Sequence, residues 1–329
     1  MKKKRILICG ATGFIGRNIA ETLVRRDDFE VIGVYNKRPP HDFPGLDWVK
    51  ADLTDPADVA RVTPSIDIMV QAAAATSGSK DIVTRPYIHI TDNAVMNSLL
   101  FRAAFEHKVA HVIFFSCTVM LQSSEHPQDE SSFDANKEMH PRYFGAGWTK
   151  VYIEKMCEFY SRLGTTKYTA IRHSNIYGPY DKFDLERSHV FGATVTKAMT
   201  AKDNRITIWG KGEEARDLLY VDDLVDFVER AIRCQNAPFV LYNCGYGQAV
   251  PIKDLVRKIV EKSGRQLSIE HDLSQPTIKT NLSLDCRKAE RELGWRPLLS
   301  LDEGIEKTLA WWREHIGRTD TRQAEFGKR

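Results

Sequence analysis

No apolar run in this chain approaches the roughly 20 residues of a membrane span. No apolar core of a secretory signal follows the basic run Lys2-Lys3-Lys4-Arg5, which leads straight into a short apolar stretch and reads as a solvated strand entry. An excess of one charge is lacking too. Lys and Arg number 47 against 44 Asp and Glu, and the resulting net charge of +3 gives no electrostatic case for nucleic acid. Metal-ligand spacing is absent. Cys9, Cys117, Cys157, Cys234, Cys244 and Cys286 are scattered, several of them in apolar stretches, which fits buried thiols in a reducing cytoplasm better than a disulfide framework. There is no internal repeat and no low-complexity tract. The expectation is a cytoplasmic protein with no metal, no membrane contact and no nucleic-acid partner. Its 329 residues leave room for one large domain, or a domain with a smaller lobe.

What the chain does have begins at its fifth residue. Ile6 to Cys9 reads as a buried strand, Gly10, Gly13 and Gly16 follow at three-residue spacing, and Ile15, Ile19, Leu23 and Val24 then recur on one face of a helix. A strand, a glycine turn and a helix in that order form a site for a dinucleotide's phosphates. Gly10 allows the tight turn, Gly13 lets the backbone approach the pyrophosphate, and Gly16 lets helix and strand pack closely. The helix amides and dipole then face the phosphate. Thr12, Phe14 and Ile15 lie in the same turn and are candidate cofactor contacts. The alternative is a turn that only joins strand to helix.

Strands and helices alternate through the first half. Strands are expected at Glu30 to Val34, Leu46 to Lys50, Ile66 to Gln71, His111 to Ser116 and around Thr169 to Arg172. Helices are expected at Asn93 to His107 and Gly147 to Leu163. This is the pattern of an α/β, Rossmann-type, doubly wound parallel sheet, whose ligands bind beyond the carboxyl ends of the strands. An acid after the second strand would favour a free ribose hydroxyl and NAD. None is present in Val34-Tyr-Asn-Lys-Arg38, and Asn36, Lys37 and Arg38 suit a 2′-phosphate, so NADP(H) is favoured over NAD(H). Asp52 and Leu53, after the third strand, would flank the adenine. Ala72, Ala73 and Ala74, after the fourth, are small enough for the dinucleotide to cross the sheet edge.

After Arg172 the character changes. Helices are expected at Ser188 to Lys202, Asp222 to Cys234, Ile252 to Gly264, Asp285 to Leu293 and Leu301 to His315, with a short strand at Ile206 to Trp209. The expected division is a nucleotide-binding domain of residues 1–175 plus about 222–246. A smaller mixed α/β lobe of 176–221 plus 247–316 would bind substrate, and 317–329 would form a flexible tail.

Several segments together resemble the extended short-chain dehydrogenase/reductases, the NAD-dependent epimerase/dehydratase family that modifies nucleotide sugars. They are Gly10-Ala-Thr-Gly-Phe-Ile-Gly16, Ser116-Cys-Thr118, Gly147-Trp-Thr-Lys150, Asn175-Ile-Tyr-Gly-Pro179, Arg216-Asp-Leu-Leu-Tyr-Val-Asp-Asp223 and Leu293-Gly-Trp-Arg-Pro297. Gly178-Pro-Tyr-Asp-Lys-Phe183 with Ser188-His-Val190, and Trp209-Gly-Lys-Gly212 with Arg216, are similar to segments of the members that epimerise and reduce 4-keto GDP-sugars. The resemblance implies a nucleotide-diphosphate-sugar substrate and a homodimer paired through the helices around Asn93–His107 and Gly147–Leu163.

It also implies roles. Lys150 would bind the nicotinamide ribose, Ser116 would orient the sugar's C4 oxygen, and His189 would move a proton at the carbon beside the 4-keto group. Arg216 would grip the diphosphate, with Asn175 and Lys197 as companions and Trp209 either lining the pocket or buried in the core. Thr118 stands where relatives carry a cysteine or glutamate acid, and a threonine is a poor proton donor. Cys117 is expected to pack on the opposite face from its neighbours, and Glu154 and Lys155 to be ordinary surface charges. The main departure is at position 146. The family pattern places a tyrosine four residues before the lysine, and here Ala146 stands in that place. Tyr143, two turns before Lys150, would share its azimuth only if the helix continues through Gly145 and Gly147.

Overall fold

The computed structural model describes residues 2–76, 84–185, 188–275 and 277–317. Of the expected tail, residues 318–329 lie outside the described residues.

Six strands open the chain: β1 (Lys4–Cys9), β2 (Phe29–Tyr35), β3 (Leu46–Lys50), β4 (Ile68–Gln71), β5 (His111–Ser116) and β6 (Lys167–His173). With β10 (Phe239–Cys244) they form one seven-stranded sheet in the order β10-β6-β5-β4-β1-β2-β3, every pair parallel. The alternation of β1 sets both faces. Ile6 and Ile8 point into one core with Ile19, Val31, Phe227 and Trp295, whereas Leu7 and Cys9 point into the other with Met69, Phe101, Val112 and Ile153. Helices α1 (Phe14–Leu23) and α6 (Val221–Cys234) cover the first face. Helices α2 (Pro56–Val62), α3 (Thr91–Glu106) and α4 (Phe144–Ser161) cover the second. Such two-sided cover is what parallel strands with few polar residues require. Chain order reverses between β1 and β4, so the sheet's crevice opens at the glycine turn.

A smaller assembly follows. Strands β7 (Asn175–Tyr177), β9 (Ala215–Tyr220), β11 (Ala249–Pro251) and β13 (Asn281–Leu282) make one small sheet, and β8 (Arg205–Trp209) with β12 (Ser268–Asp272) another. Helices α5 (Val190–Thr200), α7 (Ile252–Ser263) and α9 (Leu301–His315) pack on them around Tyr177, Phe191, Leu255, Ile259 and Trp312. Helix α8 (Arg287–Leu293) returns to the first core through Ala289 and Leu293.

Several boundaries differ from expectation for local reasons. Strand β4 begins at Ile68, because Ser65 takes a left-handed φ of 62° just before it. Helix α8 starts at Arg287 instead of Asp285, whose carboxylate accepts the Arg287 N–H at 2.9 Å. Helix α4 starts earlier than expected, at Phe144, and runs through both glycines. These glycines answer close packing: a Cβ on Gly145 would lie 2.3 Å from Ile90 Cδ1, and one on Gly147 would lie 2.6 Å from Met139 Sδ.

Candidate active site

The glycine turn has the close geometry that a phosphate cradle needs. Gly10 has φ +74°, and a Cβ there would sit 2.7 Å from Ala73 Cα. A Cβ on Gly16 would sit 2.3 Å from Gly10 O, so only glycine lets α1 approach the end of β1. Gly13 is the N-cap of α1 and has no side chain to occupy the first amides of the helix, which stay available to an anion. These residues fit a dinucleotide. Thr12 and Gly13 line a cavity of about 270 Å³ together with Arg17, Arg38, Tyr180 and Trp311, so both lobes contribute walls. Arg38 Nη1 donates to Thr12 O at 2.8 Å, which draws the end of β2 to the turn. Asn36, Lys37 and Arg38 are all exposed. Asn36 hydrogen-bonds Asp52, whose carboxylate also accepts from Thr54 Oγ1 at 2.7 Å and is held below the usual range by those bonds, Thr54 first. Leu53 is buried in the core, while Ala72 and Ala73 are half-buried and Ala74 is exposed along the crevice.

Beyond the carboxyl ends of β5 and β6 lies a second group of residues. Lys150 Nζ donates to Phe115 O at 2.7 Å and sits 4.9 Å from the Phe114 ring centre. Desolvation lowers its pKa, against the opposing pull of Cys117 and Glu154. Ser116 is fully buried, and its hydroxyl donates to Glu154 Oε1 at 2.6 Å. The hydroxyl expected to meet a sugar oxygen is thus committed to a carboxylate in this structure. Glu154 corrects its expected role as a surface charge. It is buried, and Arg172 binds it through both oxygens, Nε to Oε1 at 2.9 Å and Nη2 to Oε2 at 2.7 Å. Lys155 is exposed and pairs with Glu158. Cys117 is half-buried, and burial raises its pKa against the opposing pull of Lys150. Thr118 is half-buried beside it. Ala146 is half-buried, four residues before Lys150, and Tyr143 is the N-cap of α4. Burial raises the Tyr143 pKa, and the charges acting on it are Arg216, Cys117 and Arg142.

The far wall comes from the smaller lobe. His189 is the N-cap of α5, with its residue open to solvent. Desolvation by the surrounding protein lowers its pKa, with Lys182 and His89 adding to the effect. Sequence reasoning missed His173, at the end of β6. It lies in the fields of Lys150 and His189, and burial lowers its pKa to about 4. Arg216 is half-buried and bonded to the carbonyls of Ala215, Thr280 and Ile278 at 2.9, 2.6 and 2.8 Å. Asn175 donates to Asp217 O at 3.2 Å, and Lys197 to Thr207 O at 2.6 Å. Trp209 is 41% exposed, which excludes the buried-core alternative for it. Among the described residues no group of His, Cys, Asp and Glu could hold a metal, and no helix is long and apolar enough to cross a membrane.

A seven-stranded parallel sheet with a glycine turn at its switch point, facing a smaller lobe that carries basic and imidazole side chains, defines a Rossmann-type nucleotide enzyme class. Residues 6–245 match the NAD dependent epimerase/dehydratase family, and the chain belongs to it. It is 26% identical to a GDP-L-fucose synthase of Escherichia coli, over 97% of this chain and 99% of that one. It is 27% identical to a dTDP-4-dehydro-6-deoxy-D-allose reductase of Streptomyces, over 95% of this chain and 97% of that one. In three dimensions it superposes on the UDP-glucose 4-epimerase of Thermotoga maritima with a TM-score of 0.84 at 23% identity, covering 94% of this chain and 99% of that one. The family and these relatives support a nucleotide-sugar epimerase or reductase in general terms.

Proposed function

We propose that this protein reduces a nucleotide-diphosphate 4-keto-6-deoxy sugar, with or without epimerising it, using NADPH. The observation that carries the reading is the end-to-end match to a GDP-L-fucose synthase, supported by His189 of the smaller lobe and Lys150 both acting on His173, and by Arg216 acting on Tyr143. The turn from Gly10 to Gly16 would hold the dinucleotide phosphates, and Asn36, Lys37 and Arg38 its 2′-phosphate. When bound, the nicotinamide supplies the hydride. Lys150, pinned to the Phe115 carbonyl, would fix the ribose. Arg216 would meet the diphosphate, with Asn175, Lys197 and Trp209 around the nucleotide and Tyr143 beside the guanidinium. His189 has solvent access and a pKa lowered towards the neutral imidazole, so it can accept a proton from the carbon next to the keto group.

Ala146 favours a second reading, epimerisation at that carbon with no net redox change, because hydride chemistry has lost its usual phenol. One experiment separates the two. The protein is mixed in deuterated water with NADPH and GDP-, dTDP- and CDP-4-keto-6-deoxy sugars, with the nicotinamide absorbance and sugar mass both followed. Loss of the band with one sugar supports reduction. Deuterium uptake with the band unchanged points to epimerisation alone. Silence in both readouts, from this protein and from Ala146→Tyr, would overturn the proposal.

A further inference from the structure

Arg17 follows directly on the last glycine of the turn and lines the cavity that Thr12, Arg38 and Asp181 also line. It is held there from two sides. On its own helix, Glu21 accepts from Arg17 Nε at 2.7 Å, one turn further on. Glu21 is itself buried, and His41 Nε2 lies 3.1 Å from its Oε1. From the smaller lobe, the Tyr180 ring centre lies 3.7 Å from the guanidinium carbon. Tyr180 Oη donates to Glu21 Oε2 at 3.3 Å, so one carboxylate aligns both side chains.

The backbone of Tyr180 shows that this placement is imposed. Its φ is +68°, a left-handed value that a bulky residue seldom takes and that persists only where the surroundings hold it. Asn18 Nδ2 of α1 donates to Pro179 O at 3.0 Å, one residue earlier, and Trp311 of α9 meets the ring edge-on with centroids 5.0 Å apart. Arg17 is therefore a cation fixed in advance, with its side chain only 28% exposed. Glu21 takes Nε, so the terminal nitrogens are the ones that can reach a ligand in the cavity. Arg38 lines the same cavity from the end of β2, its Nη1 on Thr12 O at 2.8 Å. Two guanidinia on one cavity of about 270 Å³ suit a doubly charged phosphate monoester. Asp181 is the acid on that wall, and burial pushes its carboxyl up to about 7, so it opposes an anion less than an ordinary carboxylate would.

Building on the NADPH reading above, we propose that Arg17 is a second guanidinium for the 2′-phosphate of the dinucleotide, alongside Arg38, and that Tyr180 positions it. Selection of the phosphorylated dinucleotide then belongs to both lobes.

The test is calorimetry on the whole chain with adenosine 2′,5′-bisphosphate and adenosine 5′-monophosphate, which differ only in the 2′-phosphate. The parent is expected to bind the bisphosphate more tightly. Arg17→Met should weaken the bisphosphate about 10-fold or more and the monophosphate less than about 2-fold. Tyr180→Asn, whose side chain tolerates a left-handed φ, should lose part of the same preference, while Tyr180→Phe, which keeps the ring, retains it. Arg17→Met/Tyr180→Asn should be no weaker than Arg17→Met alone, because Tyr180 acts through Arg17, and additive losses would refute that positioning role. An Arg17→Met protein with the parent's preference overturns the proposal. Equal weakening of both nucleotides does so too, since it would mark Arg17 as a brace between α1 and Tyr180. A parent that binds both nucleotides alike refutes the NADPH reading itself, and the role of Arg17 falls with it.

Discussion

Protonating His111 works against the folded state. The ring is buried, Nε2 lies 2.8 Å from Thr169 Oγ1, and desolvation lowers its pKa from 6.5 to about 3, with Lys167 and Lys4 adding to the effect. The unfolded chain therefore binds a proton between those values that the folded chain does not. The stability from this group is complete above pH 6.5 and is lost as pH falls towards 3, at a slope of up to about 1.4 kcal/mol per pH unit. Urea unfolding midpoints measured across that window should fall less steeply for His111→Gln than for the parent. Equal slopes would refute the assignment. Buried ionisable residues of this kind are the hardest part of the chain to read from sequence. Glu154 and Lys155 are adjacent and look alike on a helix of mixed polarity. Only the fold shows that Glu154 meets Arg172 from β6, 18 residues on, while Lys155 stays in water. One signal was available: Glu154 lies one turn after Lys150 and shares its inward face.

Helix α4 presents two unlike faces. Its inward face bears Lys150 and Glu154, and its outward face bears Tyr152 and Phe159, exposed by 50% and 54%, with Leu163 just beyond at 49% and Val95 of α3 at 40%. An aromatic and aliphatic patch of this kind on a water-facing helix pair calls for a partner, and a second copy of the chain fits the homodimer that the resemblance implies. Light scattering after size exclusion should give a dimer's mass for the parent and a monomer's mass for Tyr152→Asp/Phe159→Asp, whose far-ultraviolet circular dichroism should match the parent's. A monomeric parent would refute the pairing. Helices with long apolar periodicity were legible at this scale, and α9 was read to the residue. The short strands β11, β12 and β13 were not, because two to five residues carry too little alternation to stand out. Gly145 and Gly147 looked like helix breakers because their cause lies elsewhere in the chain, in the Ile90 and Met139 side chains pressed against them.

At the scale of the molecule, the parallel sheet and the glycine turn were legible, because the apolar runs of β1 to β5 and the three glycines encode them locally. What the sequence did not reveal is how the lobes meet. Tyr180 and Trp311, more than 160 residues from the turn, come to line the same cavity as Thr12, Gly13 and Arg38, and the Arg17 guanidinium lies 3.7 Å over the Tyr180 ring. This convergence makes cofactor choice testable. Arg38 is exposed on its outer side, no acid stands between Val34 and Arg38, and its guanidinium is tied to the Thr12 carbonyl at 2.8 Å, so its charge is held beside the place where an adenosine ribose would lie. A charge-assisted bond to a 2′-phosphate contributes about 1.5–3 kcal/mol. By calorimetry, Arg38→Ala should therefore bind NADPH about 10- to 100-fold more weakly. NADH, which has no 2′-phosphate for the guanidinium to meet, should lose far less. The comparison also separates recognition from scaffolding. If Arg38 served only to tie β2 to the glycine turn, its loss would loosen the cradle for both dinucleotides alike, and equal weakening of NADH and NADPH would show that the basic end of β2 does not select between them.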